Sequence, residues 1–354
     1  MGELAGDVAE SGANAATGRY SRQIRFAGIG DEGQAKLGRA SVLVLGCGAL
    51  GSAISELLVR AGVGRVRIVD RDIVEESNLQ RQSLFTEDDA REELPKAEAA
   101  AGHLRRINSN VEVDPVVKDF SAVSGDHLLE GIDLAVDGTD NFPARFVLND
   151  LCFRRRISWI YGACVGATGV VGVFAPPGPC LRCFLEEPPP AGTLPTCETA
   201  GIIPSIPHLV AAIEVTEALK LLVGTGAPLR GLLTFDLWER TDLRQLFTEA
   251  GPRAGCATCG TAEFPSLSGR DESHALSLCG RNSVQVTPRA DRKVDLDQLA
   301  TRLAKLGAAR RSAHTITAEI DGVSFTFFSD GRCLLRGVDD PLRAQALYAK
   351  YVGS

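Results

Sequence analysis

The residues that could do chemistry fall into a few groups along the 354-residue chain. Two cysteine pairs share the same spacing: Cys180-Leu181-Arg182-Cys183 and Cys256-Ala257-Thr258-Cys259. Two CxxC pairs, each beside glycine, supply the four thiolates of a tetrahedral zinc site. The pairs lie much farther apart than in a zinc ribbon, so such a metal would clip two remote segments together. A redox role for a CxxC is the alternative, and two such pairs are harder to explain that way. Cys197 stands alone in a proline-rich loop (186–200, EEPPPAGTLPTCETA). A lone loop cysteine is usually without a function, but a mobile one placed near an activated carboxyl group is a natural nucleophile. Cys47, Cys152, Cys164, Cys279 and Cys333 are expected to be core thiols.

A second group surrounds Gly46-Cys47-Gly48-Ala49-Leu50-Gly51. The glycines let the backbone turn tightly and approach a phosphate, and a following helix offers free N–H groups and the positive end of its dipole. Asp70 then stands at the end of a second strand, where a carboxylate accepts from ribose hydroxyls. A lone GxGxxG is weak, and the context by itself favours a dinucleotide such as NAD. The polar run Ser77-Asn78-Leu79-Gln80-Arg81-Gln82 argues otherwise: Arg81 suits a triphosphate, and Asn78 suits a loop-fixing hydrogen-bond role. Lys96, after Pro95 at the predicted first helical position, opposes a helix dipole, which points to an anionic ligand unless it is an ordinary surface lysine. Asp137 and Asp140 follow a fourth strand and are candidates for Mg²⁺, or else caps of the next helix. Near the N-terminus Arg19, Arg22 and Gln23 stand together. A solvated face is the simpler reading; a phosphate-reaching arm is the other.

These residues need elements to hold them. Val42 to Leu45 reads as a buried parallel strand, Ser52 to Ala61 as a helix with Ile54, Leu57, Leu58 and Ala61 on one face, and Arg65 to Val69 as the next strand. Further strands are predicted at 111–117, 134–137, 157–163, 169–175 and 232–236. Helices are predicted at 97–107 and 141–154, with an amphipathic one at 206–223 that begins beside a packed His208. Gly260 to Ser273 reads as a linker, followed by strands, a hairpin around Asp321-Gly322 and a closing helix at 341–351. The fold class is α/β, a Rossmann-like mostly parallel sheet flanked by helices, plus a small α+β C-terminal domain. The expected division is a disordered tail at 1–18, a nucleotide-binding domain at 19–262, a linker at 263–275 and the small domain at 276–354. Hydrophobic residues are 44% and aromatic residues 6%, which suits an α/β core packed with Ala, Val and Leu. A net charge of −7 argues against nucleic acid as the main partner. No apolar run reaches transmembrane length, and ten cysteines without a secretory signal point to the cytoplasm.

With these pieces in place, the chain resembles the ThiF/MoeB/HesA family, bacterial relatives of the ubiquitin-activating enzymes. The resemblance covers about 19–260. Arg19 to Gln23, Gly46 to Gly51, Asp70-Arg71-Asp72, Ser77 to Gln82, Pro95-Lys96, Gly138-Thr139-Asp140-Asn141, both CxxC pairs and Thr196 to Gly201 carry it. It implies ATP- and Mg²⁺-dependent adenylation of the C-terminal Gly-Gly of a ubiquitin-like sulfur carrier, in thiamine or molybdopterin biosynthesis. The implied nucleotide site is Gly46, Gly48, Ala49, Gly51, Asp70, Asp72, Asn78, Arg81, Gln82, Lys96, Asp140 and Asn141, with Asp140 serving Mg²⁺. Arg22, Arg81, Lys96, Asp140 and Cys197 are the implied catalytic set, Arg22 reaching into the neighbouring subunit of a homodimer. Cys180, Cys183, Cys256 and Cys259 would hold structural Zn²⁺. A cysteine desulfurase or rhodanese would be the sulfur donor. The family usually has Gly where Ala49 stands, so a slightly tighter phosphate turn is expected. The C-terminal part looks like the short extension of certain family members, and its role is open. Two other readings remain: an NAD-dependent oxidoreductase, which leaves Arg81, Lys96 and the CxxC pairs without a task, and a non-catalytic zinc-clipped scaffold.

Overall fold

The structure is a computed structural model, and it describes residues 18–189, 193, 196–239, 243–246, 252–268, 275–278, 283–287, 294–312 and 315–352. Residues 1–17 of the expected tail and Cys279 lie outside these. The described strands of the first unit are β1 (Ser41–Leu45), β2 (Arg65–Asp70), β3 (Glu112–Val117), β4 (Leu134–Asp137), β5 (Ser158–Val165), β6 (Thr168–Phe174), β7 (Leu232–Asp236) and β8 (Leu243–Leu246). They form one sheet in the order β3-β2-β1-β4-β5-β6-β7-β8. The first five are parallel, and β6 to β8 extend the sheet by antiparallel pairings. β1 is buried along its whole length, which is why it reads as an unbroken apolar run.

The chain order reverses at the centre of this sheet. From β1 it runs outward to β2 and β3, then returns to place β4 on β1's other side. The loops after β1 and β4 therefore leave in opposite directions and open a crevice at their carboxyl ends. The helix Ala49–Ala61 leaves β1, Lys96–Ile107 precedes β3, and Phe142–Arg155 follows β4. Ala49–Ala61 stops on Gly62, whose left-handed φ of 79° ends the helix.

The helix Ser205–Val223 departs from expectation. It is apolar on nearly every side and packs against the Ala49–Ala61 helix, β5 and β6; only a narrow stripe with His208, Ala212 and Thr216 is exposed. Its amphipathic reading thus fails, and His208 is a solvent-facing residue rather than a packed one. Two acids are buried in it. Glu217 is satisfied by Lys220 at 2.6 Å and by the Leu229 N–H at 2.8 Å. Glu214 is fully buried, and among the described residues neither carboxyl oxygen has a hydrogen-bond partner. Gly162 in β5 makes room for it, since a Cβ there would lie 2.4 Å from the carboxyl.

The second unit is a six-stranded antiparallel sheet. Its strands are β9 (Ala275–Leu278), β10 (Ser283–Val286), β11 (Ala308–Arg311), β12 (Thr315–Ile320), β13 (Val323–Phe328) and β14 (Cys333–Arg336), in the order β11-β12-β13-β14-β10-β9. The hairpin between β12 and β13 turns at Asp321 and Gly322, with φ of 53° and 76°, as a tight two-residue hairpin requires. Helices Leu296–Leu303 and Pro341–Val352 cover one face over Val284, Phe325, Phe327 and Leu335. The other face meets the first unit: Phe328 and Leu334 pack on Ile73 and Val117. Arg332 donates to the Arg71 and Val117 carbonyls at 3.3 and 3.2 Å, and Arg310 pairs with Glu93 at 2.9 Å. In the stretch read as a linker, Pro265–Leu267 form a 3-10 turn in which Ser266 donates to Asp150 at 2.9 Å.

Burial pushes the Glu214 carboxyl well above the usual range, with Asp137 adding to the rise and Arg145 opposing it. The unfolded chain ionises this carboxyl first, so wild-type stability falls as pH climbs above the ordinary glutamate range. The loss is up to about 1.4 kcal/mol per pH unit until the folded-state pKa is reached. Glu214→Gln removes that slope. The Tm of the variant relative to wild type is expected to rise by several degrees from about pH 5 to about pH 8. A difference that stays constant across that range contradicts a neutral buried Glu214.

Candidate functional site

Three glycines knot the crevice. Gly46 leaves β1 with φ of 86°, and a Cβ on it would lie 2.8 Å from the Gly138 carbonyl oxygen. A Cβ on Gly51 would lie 1.9 Å from the Gly46 carbonyl oxygen, and one on Gly138 would lie 2.7 Å from the Gly51 Cα. Each loop thus sits where only a glycine on the other allows it. Gly48 is different, because a Cβ there would meet only the Gln82 side chain at 3.8 Å. That open side is the backbone edge a phosphate approaches, and the helix from Ala49 points its first N–H groups at it. Ala49 is the first helical residue and has no left-handed φ, so its methyl is accommodated without backbone strain.

Asp70, at the tip of β2, braces the glycine loop. Its carboxylate accepts the Cys47 N–H at 2.5 Å and the Asp72 N–H at 2.7 Å. Burial raises its pKa, and the Lys96 ammonium opposes that rise. Pro95 proves to be the N-cap, one position before its expected place, and Lys96 is the first helical residue. Lys96 is only 3% exposed, which removes the surface-lysine reading. Its ammonium lies 3.5 Å from Asp72. A buried cation at a helix N-terminus opposes the dipole, so nearby anions are what make it tolerable. Arg71, given no role of its own in the Asp70-Arg71-Asp72 motif, lies beside Asp119 at 3.1 Å and Asp72 at 3.8 Å. Burial would lower its pKa, but the Asp119 and Asp72 charges win and raise it.

The loop after β2 holds the next group. Asn78 is buried and accepts the Glu75 N–H at 3.2 Å, the loop-fixing role its type suggested. Arg81 donates to the Ser77 carbonyl at 2.9 Å. Gln82 is buried beside Gly48, and its side-chain amide oxygen has no partner among the described residues. An unpaired buried acceptor next to an open backbone edge fits a site completed by a ligand.

At the end of β4 the two aspartates separate. Asp137 is fully buried and spends both oxygens inside the protein: on Arg145 Nε at 2.7 Å, and on the Thr139 N–H and hydroxyl at 2.9 and 2.8 Å. It is therefore not placed to ligate Mg²⁺. Arg145 also donates to the Thr139 and Gly162 carbonyls at 2.6 and 3.0 Å, so this pair locks β4, β5 and the next helix together. Asp140 is exposed, and the capping role falls to Asn141, which accepts the Ala144 N–H at 3.4 Å.

Arg22 is not in this crevice. Its neighbours turn inward at the far end of the Ala49–Ala61 helix: Gln23 donates to the Ala61 carbonyl at 2.8 Å, and Tyr20 accepts from Asn108 at 2.7 Å. Arg22 itself is exposed. Twelve helical rises separate Ala49 from Ala61, about 18 Å, so Arg22 stands well away from the phosphate end of its own chain. Cys197 begins a one-turn helix, Cys197–Ala200, with Thr196 as N-cap, and its Sγ lies 3.5 Å from the Cys164 carbonyl. Cys47, Cys152 and Cys333 are buried as expected, whereas Cys164 is half-buried.

The four CxxC sulfurs gather within 4.8 Å of one another, with Cys180–Cys256 at 3.6 Å and Cys183–Cys259 at 3.3 Å. Sulfurs of a tetrahedral zinc site with bonds of about 2.3 Å stand about 3.8 Å apart, so the group is of the right size and type for zinc. Its supports were invisible in the sequence. Asn149 accepts the Leu181 N–H at 3.0 Å, and buried Asp150 accepts from Arg182 at 3.2 Å and from Thr258. One helical turn thereby orients both cysteine arms.

Comparison with known proteins matches residues 20–258 to the ThiF family model. The sulfur carrier protein ThiS adenylyltransferase of Bacillus subtilis strain 168 is 44% identical over 342 residues, 95% of this chain and 100% of that one. The SAMP-activating enzyme E1 of Haloferax volcanii is 38% identical over 262 residues, 73% of this chain and 96% of that one. Among solved structures, Escherichia coli MccB in complex with MccA-N7isoASN aligns with a TM-score of 0.60 at 23% identity, over 69% of this chain and 74% of that one. At that identity it speaks for the fold alone.

Metal analysis of the purified protein is expected to give about one zinc per chain. Cys256→Ser should release it and cost a few kcal/mol, on the order of 10 °C in Tm. Stoichiometrically zinc-free wild-type protein with an unchanged Tm contradicts the assignment.

Proposed function

Because the chain belongs to the ThiF family, we propose that it adenylates the C-terminal Gly-Gly carboxylate of a ubiquitin-like sulfur carrier with ATP, preparing it for sulfur transfer in thiamine or molybdopterin biosynthesis. The observation that carries this reading is the buried Lys96 ammonium, 3.5 Å from Asp72 and opposing the charge of Asp70, whose carboxylate braces the glycine loop through the Cys47 N–H. A scaffold has no reason to bury such a cation, and 44% identity to a ThiS adenylyltransferase sets hydride transfer aside.

A carboxylate is a poor electrophile. Attack of its oxygen on the α-phosphorus of ATP forms a carboxyl–phosphate bond and breaks the bond to pyrophosphate, leaving a mixed anhydride. No covalent protein group is needed, so the work is orientation and charge neutralisation. The loop at Gly46, Gly48, Ala49 and Gly51 would cradle phosphates, Asp70 and Asp72 would frame the ribose side, Asn78 and Asn141 would hold the loops in place, and Gln82 would meet the nucleotide. Lys96 and Arg81 would take up the charge that collects on the departing pyrophosphate. Mg²⁺, held by the exposed Asp140, would supply further neutralisation of the phosphate oxygens. Zinc would be structural: it would tie the segments at 180–183 and 256–259 to the Phe142–Arg155 helix.

The remaining parts of the proposal extend this reading. Arg22 stands far from its own crevice and so would serve the neighbour's in a homodimer. Cys197 would act after adenylation, when an electrophilic acyl group or a donor persulfide is present, with a cysteine desulfurase or rhodanese as the sulfur source. The adenylation domain would span 19–262 and the C-terminal domain 276–354. No helix among the described residues is long and apolar enough to cross a membrane, in keeping with a cytoplasmic enzyme.

With Bacillus subtilis ThiS as carrier, the protein should catalyse carrier-dependent exchange of pyrophosphate into ATP. Lys96→Met should lower kcat/KM by about 100-fold or more when assayed below the variant's Tm, which itself should fall because Asp70 and Asp72 lose their buried counter-charge. Exchange that needs no carrier, or is indifferent to Lys96→Met, contradicts the reading. Cys197→Ala should keep exchange within about twofold of wild type while sulfur transfer to the carrier falls by tenfold or more. Collapse of exchange in that folded, zinc-replete variant would place Cys197 in the ATP step instead.

A further inference from the structure

The C-terminal unit reaches the site at one point. Arg336, the last residue of β14, extends to the loop after β2 and pairs with Glu75 at 2.7 Å. Beside that pair lies a groove of about 540 Å³. One wall is the Glu75–Arg81 loop, which carries Asn78 and Arg81; the other is Cys197 with Gly201 and Ile202; Arg336 closes one side. A volume of that size is in the range of ligand sites.

We propose that Arg336, contributed by the C-terminal unit, is a tail-binding, specificity-determining residue for the carrier's extended C-terminal tail where it lies in this groove. The inference rests on the adenylation reading for the identity of the tail. Three features argue for that occupant. The groove joins a residue assigned to the triphosphate, Arg81, to the thiol assigned to the later step, Cys197, so an acyl end held in it passes both. Two arginines face one glutamate across it, so its charge favours a chain that ends in a carboxylate. The guanidinium of Arg336 is only partly used by Glu75, and its planar fork suits the carbonyl row of an extended peptide. Gly201 leaves open space where a side chain would project, with φ of 74° and no atom within 4 Å of an added Cβ. The face of the C-terminal sheet that carries Arg336 is held against the first unit through Ile73, Val117, Phe328 and Leu334, so Arg336 is presented from a fixed platform.

The alternative is that Arg336 merely steadies the loop that bears Asn78 and Arg81, and the two roles predict opposite signs. If Arg336 binds the tail, Glu75 competes with the tail for it and also repels the carboxylate. Arg336→Gln should then raise the KM for Bacillus subtilis ThiS about tenfold, while Glu75→Gln should lower it, with the KM for ATP within about twofold of wild type in both. If Arg336 only steadies the loop, both substitutions break the same ion pair, and both raise the KM for ATP. That pattern, or a ThiS KM indifferent to Arg336→Gln in a protein of wild-type Tm, overturns the proposal. Direct titration of ThiS without ATP is a second readout: affinity should fall about tenfold in Arg336→Gln and rise in Glu75→Gln. Wild-type protein that binds ThiS with this dependence but shows no exchange would sink the adenylation reading and leave the groove assignment standing. Exchange in wild type without the dependence would do the reverse.

Discussion

The close approach of the loops after β1 and β4 is the constraint on which the rest of the site depends. Gly46, Gly51 and Gly138 interlock at backbone distance, and a single methyl on any of them would strike a neighbouring main-chain atom. Because the loops are locked to each other, the N-terminus of the Ala49–Ala61 helix is fixed over the carboxyl end of β1. The backbone edge at Gly48 is left open. Asp70 adds a second tie by holding the Cys47 and Asp72 amides. The crevice is thus built of main chain, which does not need to reorganise when a charged substrate arrives.

Charge is arranged around that frame in two layers. Asp137 and Arg145 form a closed, buried pair under the loops, joined to the Gly162 carbonyl on β5 and the Thr139 carbonyl after β4, and their role is to hold shape. Above them Arg71 and Lys96 stand among Asp70, Asp72 and Asp119. The upper layer holds cations in a partly desolvated place where their attraction for phosphate is stronger than it would be in water. Zinc would serve the structure at a distance, through the Asn149–Asp150 turn that grips both cysteine arms.

Much of this was legible in the sequence, for identifiable reasons. β1, β2, β4 and their glycine turn read correctly because a buried parallel strand is an apolar run and the chemistry follows it at once. The four zinc cysteines were legible from spacing alone, and 44% identity to a ThiS adenylyltransferase displaces the dehydrogenase reading that the glycine fingerprint alone allowed. Pattern misled where burial decides the outcome. Asp137 carries the same local signal as Asp140, yet its helix brings Arg145 back onto it eight residues later and consumes it. The helix Ser205–Val223 reads as amphipathic in the sequence, yet both of its glutamates are buried. Asp150 and Arg336 gave no signal, and Arg71 was given no role of its own, because their partners, Thr258, Glu75 and Asp119, lie far away in the chain.

The central claim is that this crevice directs a carboxylate onto the α-phosphorus of ATP, and the origin of the oxygen atoms in the products tests it directly. Bacillus subtilis ThiS labelled with ¹⁸O in its terminal carboxylate is incubated with the protein, MgATP and a thiol acceptor, and the nucleotide and phosphate products are weighed by mass spectrometry. The account predicts one ¹⁸O in AMP, carried over when the acyl–phosphate bond is broken at the carbonyl carbon, and none in inorganic phosphate. Label in inorganic phosphate with unlabelled ADP would mean attack at the γ-phosphorus, and would contradict the assignment of this site as an adenylating one.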